Sequence, residues 1–360
     1  SELRLRGSFG IQGNMLEDQS PNLIIKQGAL DPIYNENVSS IARYPNPNLR
    51  WEETQQLDGG LEIGFFRSRL SMEFSVYSKK TSNCFTNVQV SSVNGVAGHT
   101  YVMNGGDLNN NGYSISLSAT PVKTKDFQWK FSTYYSGNFN KVQTKSVENY
   151  TLNDYLNGTA LIDGVAIGSF YSYKYLGLNP SNGTPLFDDY NDRKHLLEYK
   201  TLEETVLMTM EKSGQREPIF SGNFSNNFTY KNFSLSMNMA YSIGSKVRLF
   251  PLYSPVVSGI SSETNVRKEF LSRWMAPGDE KYTDIPVIMS PSDPEYMKYI
   301  SHFSNGPTSA THIQGFASSI WNMYDNSNLR VVSGSYLKCS SMSLRYNVDP
   351  EWLKKTPFSN

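Results

Sequence analysis

From Phe233 to Ile243 every second residue is large and apolar, with Phe233, Leu235, Met237, Met239, Tyr241 and Ile243 set against Ser234, Ser236, Asn238, Ala240 and Ser242. A period of two predicts a β-strand with one greasy and one polar face. Eleven residues is about twice the usual strand length of a water-soluble domain. It is the length that crosses a bilayer at a tilt of roughly 45°. The polar face is small and almost uncharged, which suits the wet interior of a wide barrel better than a surface rich in Lys and Glu. The segment points to an outer membrane.

The alternation recurs, mostly in hairpin pairs. Leu61, Ile63 and Phe65 lead through a turn at Arg67 and Ser68 to Leu70, Met72, Phe74 and Val76. Tyr113, Ile115, Leu117 and Ala119 lead through Lys123–Asp126 to Trp129, Phe131, Thr133 and Tyr135. Gly222, Phe224, Asn226, Phe228 and Tyr230 reach the opening strand through Lys231 and Asn232, and Met342, Leu344, Tyr346 and Val348 close the series. The chain starts in the same style, with Leu3, Leu5, Phe9 and Ile11, as though inside a strand. Some connections are tight turns; others are long, over 13–50, 80–111, 143–165, 176–217 and 249–333. Short turns at one end and long loops at the other mark outer-membrane barrels. Two loop stretches read as helical: one opens with the capping box Thr201-Leu202-Glu203-Glu204, the other runs from Ser262 to Trp274. The fold class is therefore all-β, an antiparallel transmembrane β-barrel in part, with about nine or ten strands and long extracellular loops containing short helices. An open sheet in lipid leaves unpaired edges, so further strands must complete the barrel.

Composition agrees. Charged residues are 18% of the 360, below the roughly 25% usual in soluble proteins, while aromatics reach 13%. The formal net charge of zero argues for no nucleic-acid partner. Low charge with many aromatics also fits a secreted glycan-binding β protein, but strands of about 5–6 residues would not explain alternation sustained this long. No stretch is long and apolar enough for a transmembrane helix, and a barrel needs none. Cys84 and Cys339 read as free thiols.

Several segments carry a family resemblance. Asn46-Pro47-Asn48-Leu49-Arg50-Trp51-Glu52 resembles the "NPdLkWE" signature of SusC/RagA-type TonB-dependent transporters. Gly60 to Phe65 and Arg69 to Thr81, Asn104-Gly105-Gly106-Asp107-Leu108-Asn109-Asn110-Asn111-Gly112, Lys125 to Trp129, Phe139 to Val142, Glu217 to Lys231 and Ser335 to Lys338 are similar to further family segments in the same order. The resemblance covers about residues 3 to 349. It implies a bacterial outer-membrane barrel of roughly 22 strands with an N-terminal plug, importing oligosaccharide or peptide with a SusD-like lipoprotein lid and energy from TonB. On that pattern residues 1–360 are a C-terminal portion of the barrel, with the plug and the final strands outside them. Many relatives carry a calcium-like loop where this chain has Phe187-Asp188-Asp189-Tyr190-Asn191-Asp192-Arg193, which lacks the glycine and spacing such a loop needs, so no metal is assigned.

Candidate chemistry is sparse. His99, His195, His302 and His312 have no metal or catalytic spacing, and no G-x-S-x-G elbow occurs, so neither enzymatic activity nor a cofactor is expected. The seven N-x-S/T sequons follow from alternating Asn and Ser on wet strand faces. The run Asp188, Asp189, Asp192, Arg193, Lys194 reads as a solvated loop tip or a substrate contact. Tyr253, Trp274, Tyr282, Tyr296, Trp321 and Tyr324 lie outside the strand pattern and are the candidates for ligand or partner contact, or for packing the loops. Glu73, Lys130, Asn223, Asn227, Asn238 and Arg345 fall on the polar side of their strands and are the candidates for lining the lumen, where charge tunes selectivity.

Overall fold

The computed structural model describes residues 2–17, 22–66, 69–89, 100–144, 150–253, 265–290, 318–348 and single positions between 292 and 302. In chain order the strands begin with β1 (Glu2–Asn14), β2 (Ile24–Leu30), β3 (Asn37–Arg43), β4 (Glu52–Phe65), β5 (Leu70–Gln89), β6 (Thr100–Lys123) and β7 (Phe127–Thr144). Helix α1 (Leu152–Asn157) is followed by β8 (Ser169–Tyr173), β9 (Tyr175–Leu178), β10 (Pro185–Phe187), α2 (Leu202–Thr209) and β11 (Met210–Gln215). The chain then forms β12 (Phe220–Tyr230), β13 (Phe233–Ile243), β14 (Lys246–Arg248), α3 (Ile320–Asp325), β15 (Val331–Ser333) and β16 (Tyr336–Tyr346).

Eight strands make one sheet in the order β1-β4-β5-β6-β7-β12-β13-β16, and every neighbouring pair is antiparallel. The register aligns apolar with apolar across the whole sheet. One row runs Leu5–Leu61–Phe74–Ile115–Tyr135–Gly222–Tyr241–Leu337. A slip of one residue anywhere would put greasy side chains on the polar face, which is why the pattern specifies pairing so firmly. Gly222 lies under the Tyr241 ring, where a Cβ would have no room.

The sheet is inside-out by the standards of a soluble protein. On β5 the apolar Met72, Phe74 and Val76 are exposed, and the alternate Ser71, Glu73, Ser75 and Tyr77 are half-buried. On this strand the apolar face is the more exposed one, whereas on β7, β12 and β13 the polar-face Lys130, Tyr134, Asn223 and Asn238 are exposed. Aromatic pairs border that apolar face at two levels. Trp129–Phe228 (5.8 Å) and Phe233–Tyr346 (4.6 Å) sit near the tight turns, while Tyr113–Tyr135 (5.9 Å) and Tyr135–Phe220 (5.6 Å) sit near the loops. Phe220 and Phe228 are roughly 27 Å apart along an extended strand, or about 20 Å across a bilayer at a 40° tilt, close to the apolar band of an outer-membrane barrel.

The buried apolar core lies elsewhere. Residues 150–215, 246–253, 265–290 and 318–333 form a body on the long-loop side, built on Tyr155, Leu156, Tyr171, Tyr173, Leu197, Val206, Met210, Leu252, Tyr253, Phe270, Trp321, Met323 and Tyr324. Strand pairs β8–β11, β9–β10 and β14–β15 and the three short helices frame it.

Several expectations are corrected. The main sheet has eight strands among the described residues, not nine or ten. The connection expected over 80–111 is largely strand: β5 runs to Gln89 and β6 starts at Thr100, giving strands of 20 and 24 residues. Above the membrane both faces are wet, so alternation fades while the hydrogen-bonded ladder continues. The stretch 13–50 contains the β2–β3 hairpin, and 176–217 is folded into the loop body. The helix expected over 262–274 is a 3-10 turn, Lys268–Ser272; residues 261–264 and the turn residues Arg67 and Ser68 lie outside the described residues. Helix α2 forms as expected, with Thr201 and Glu204 closing a reciprocal capping box.

Candidate functional site

The polar face is the first element of the site. Alternation within each strand and the register between strands bring Glu73, Lys130, Asn223, Asn227, Asn238 and Arg345 onto it together. Its chemistry is segregated. Charge gathers on β1, β4 and β5, where Arg4 pairs with Glu62 (3.2 Å), Arg6 with Glu73, and Ser8 donates to Asp58 (3.3 Å). A concavity of about 590 Å³ lies there, with Arg6, Ser8, Asp58, Gly60, Glu73 and Ser75 among its lining. From β6 to β13 the character changes to hydroxyls and amides. Three successive rows read Ser114–Ser136–Ser221–Ser242, Ser116–Tyr134–Asn223–Ala240 and Ser118–Ser132–Ser225–Asn238. Many of these groups bond to one another: Ser136 with Ser221 (3.1 Å), Ser236 with Asn227, and Asn238 with Ser341 (2.8 Å). Lys130 sits below these rows on β7, and Lys338 and Arg345 return charge on β16.

The second element is the loop body. Of the six loop aromatics expected to meet ligand or partner, Tyr253, Trp274, Tyr296, Trp321 and Tyr324 are interior side chains, and Tyr282 alone is open, at 90%. Tyr253 stacks on Trp321 at 5.2 Å and meets Phe270 and Tyr324 edge-on; its hydroxyl donates to the Pro286 carbonyl. Burial pushes the Tyr253 hydroxyl far above its ordinary range, so it stays a neutral donor. Trp274 lies against Gly183, whose positive φ and absent side chain admit the indole. The buried Asp325 carboxylate accepts from the Leu252 (2.7 Å) and Tyr253 (3.0 Å) backbone N–H groups and so ties α3 to the chain leaving β14. Arg248 donates to the Leu156, Tyr171 and Ser172 oxygens, and burial lowers its guanidinium to about 10, still charged at neutral pH.

The acidic run is engaged by its own neighbours. Asp188 faces Lys174 (3.8 Å) and Arg193 (3.7 Å), Asp192 faces Arg193, and Asp189 meets His302 at 2.6 Å while Lys194 donates to the His302 carbonyl. Among the described residues no group of His, Cys, Asp and Glu has the arrangement of a metal site. His99 and His312 lie outside the described residues. Cys84 and Cys339 are free thiols.

The third element was not legible as a site. The segment Asn46 to Glu52 clips the chain entering β4 onto the tall β5–β6 hairpin. Asn46 donates to the Val102 carbonyl (2.6 Å), the Arg50 N–H to Asn104 Oδ1 (2.8 Å), and Asn104 Nδ2 to the carbonyls of Arg50 (2.9 Å) and Asn83 (2.7 Å). Glu52 accepts from the Phe85 N–H (2.7 Å) and from Asn14 (2.8 Å). The motif is thus a structural clasp for a β-bulge at which Asn83 has positive φ.

Comparison with known proteins settles the family. The family model described as "TonB dependent receptor-like, beta-barrel" matches residues 3–250. The chain belongs to this TonB-dependent receptor β-barrel family. It is 25% identical to "TonB-dependent receptor P3" of Formosa agariphila over 98% of this chain and 33% of that protein. It is 26% identical to "TonB-dependent receptor SusC" of Bacteroides thetaiotaomicron over 69% of this chain and 25% of that protein. The solved "RagAB peptide transporter" superposes with a TM-score of 0.70 at 21% identity, over 96% of this chain and 34% of that one. This family member is thus a SusC/RagA-type β-barrel protein of the Gram-negative outer membrane, and its matched relatives are receptors and transporters rather than enzymes. The chain spans about a third or less of the length of the curated relatives it matches.

Proposed function

We propose that this chain forms the wall and outer loop body of a TonB-dependent importer of oligosaccharides. The observation that carries this reading is a long antiparallel sheet with a hydroxyl- and amide-rich polar face opposite a continuous face of large apolar side chains. On this reading Glu73, Lys130, Asn223, Asn227, Asn238 and Arg345 line a water-filled lumen, and the aromatic borders set the depth of the sheet in lipid. Solute enters between the loop body and a SusD-like lipoprotein seated on it. TonB then acts through an N-terminal plug outside residues 1–360, opening a path along the wall. Further strands complete the barrel, since β1 and β16 each pair on one side among the described residues.

A peptide importer of the same fold is the competing reading, favoured by the fold shared with the RagAB peptide transporter. The rows of hydroxyls and amides from β6 to β13, where Lys130 is the charged candidate, weigh toward neutral hydroxylated cargo, because most charged groups of a peptide would lack partners there. Import of labelled oligosaccharides and peptides by cells with and without TonB, and with and without the lipoprotein, tests the proposal. Import that needs both, and favours oligosaccharide, is expected. Import unaffected by loss of TonB would overturn it.

A further inference from the structure

Tyr134 is an aromatic on the polar face, with Tyr77 of β5 near it. It projects from β7 at the level of Ala240, next to the upper-border residue Tyr135, and is 40% exposed. Its neighbours along the strand are Ser132 and Ser136, and its cross-strand partners are Ser116 and Asn223, all small and uncharged. Beyond Asn223 the row continues to Ala240, so a bulky ring rises from a floor of hydroxyls and one amide. Trp129, Tyr135 and Phe139 of the same strand are stacked with neighbours on the opposite, apolar face. Asn223 is likewise exposed. The nearest charged side chain in the same row on the β1 side is Glu73, two strands away and engaged with Arg6.

We propose that Tyr134 is a stacking platform inside the lumen for a pyranose ring of a neutral saccharide, with Asn223 beside it supplying the hydrogen bonds that orient the ring. The inference rests on the importer reading above and deepens it by naming a residue and a substrate class. The chemistry follows from the surroundings. A sugar presents an apolar C–H face and a polar rim; an aromatic side chain accommodates the first, and an amide with flanking hydroxyls satisfies the second. The three rows around Tyr134 carry no charge from β6 to β13; the nearest charges on the face are Glu73, Lys130 four residues along β7, and Lys338 on β16.

The experiment uses the full-length transporter in two measurements. Calorimetric titration of the purified protein gives Kd, and import by intact cells gives KM and maximal rate. The probes are four neutral hexasaccharides (an α-glucan, a β-glucan, a mannan and a xylan), a galacturonate hexamer and an alanine–serine hexapeptide. At least one neutral hexasaccharide is expected to bind, with Tyr134→Ala weakening Kd and raising KM at least about fivefold while heat-modifiable mobility and maximal rate stay unchanged. Tyr134→Phe keeps the ring and is expected to keep affinity, and Asn223→Ala is expected to weaken it about threefold or more. Neutral saccharide import that Tyr134→Ala leaves untouched overturns the platform and leaves the importer standing. Preferential binding of the peptide or the galacturonate, or no binding of any neutral hexasaccharide, overturns it too. Binding that depends on Tyr134 without any import sustains the platform and removes the importer reading.

Discussion

Arg50 and Asn104 hold each other by their amide groups across 54 residues of chain: the Arg50 N–H donates to Asn104 Oδ1 at 2.8 Å, and Asn104 Nδ2 returns a bond to the Arg50 carbonyl at 2.9 Å. The same Nδ2 reaches the Asn83 carbonyl at 2.7 Å, so one side chain joins three segments. The most recognisable motif of the sequence is a fastening between the entry to β4 and the part of the β5–β6 hairpin that rises above the membrane.

The clasp predicts a graded mutational response. Asn104→Ala removes three hydrogen bonds and leaves backbone groups of a bulge short of partners, costing about 1–3 kcal/mol. Asn104→Asp keeps the acceptor for the Arg50 N–H and is expected to cost less. Limited proteolysis of the purified outer-membrane protein checks this: cleavage within 80–111 should appear at lower protease in Asn104→Ala, with the heat-modifiable barrel intact.

Asp325 is expected to hold the loop body together where α3 meets the chain leaving β14. It is 2% exposed, and its carboxylate serves the Leu252 and Tyr253 N–H groups. Asp325→Ala strands both donors in a buried place and is expected to destabilise the body by about 2–4 kcal/mol. Loss of hydrogen-exchange protection over α3 and β14, without change in the sheet, is the readout.

Two carboxylates give the loop body a defined acid response. The Thr201 backbone and side chain hold Glu204 below the usual carboxylate range. Asp154 is raised by partial burial, but bonds from Thr151 and Thr159 outweigh this and leave it lowered. A depressed folded-state pKa contributes stability that is full above the unfolded value, near 4, and is lost as pH falls through the folded value. The N-termini of α1 and α2 should therefore lose exchange protection, corrected for intrinsic rates, as pH drops below about 4. In Glu204→Gln, protection of α2 should no longer depend on pH.

Neighbouring residues on β13 should respond oppositely to the same charge. Met239 lies on the apolar face at mid-depth and Asn238 on the polar face. Met239→Lys is expected to cost about 2–4 kcal/mol in the bilayer, and Asn238→Lys little, because a lumen supplies water. Denaturant unfolding of the barrel in lipid vesicles separates the two.

The sheet was legible because its faces differ so sharply in composition. Alternation over 61–76, 113–135 and 222–243 places strands and turns, since each residue there must satisfy either lipid or water. The signal fails where both faces are wet, which is why Lys80 to Gln89 and Thr100 to Asn111 read as loop although they are strand. The loop body was opaque for a different reason. Its order comes from contacts such as Tyr253–Trp321 and Asp325–Leu252, between residues 68 and 73 apart, which leave no local period. The same holds for the loop aromatics: a buried and an exposed tyrosine look alike in a sequence, and Tyr253 and Tyr282 differ only in what folds over them. Tyr134 alternates with the apolar positions between Ser132 and Ser136, and its place beside Asn223 and Ser116 follows from the register with β12 and β6.

The central claim is that one face of this sheet meets lipid and the other water. It is tested most directly by placing single cysteines from Asn223 to Phe228 on β12, in the full-length protein with Cys84 and Cys339 replaced by serine. Each is then labelled in intact outer membranes with a charged, water-soluble thiol reagent. Cysteines at positions 223, 225 and 227 should react and those at 224, 226 and 228 should not, an alternation of period two along the whole stretch. Uniform labelling of both faces would contradict the account and mean that this sheet is bathed in water on either side.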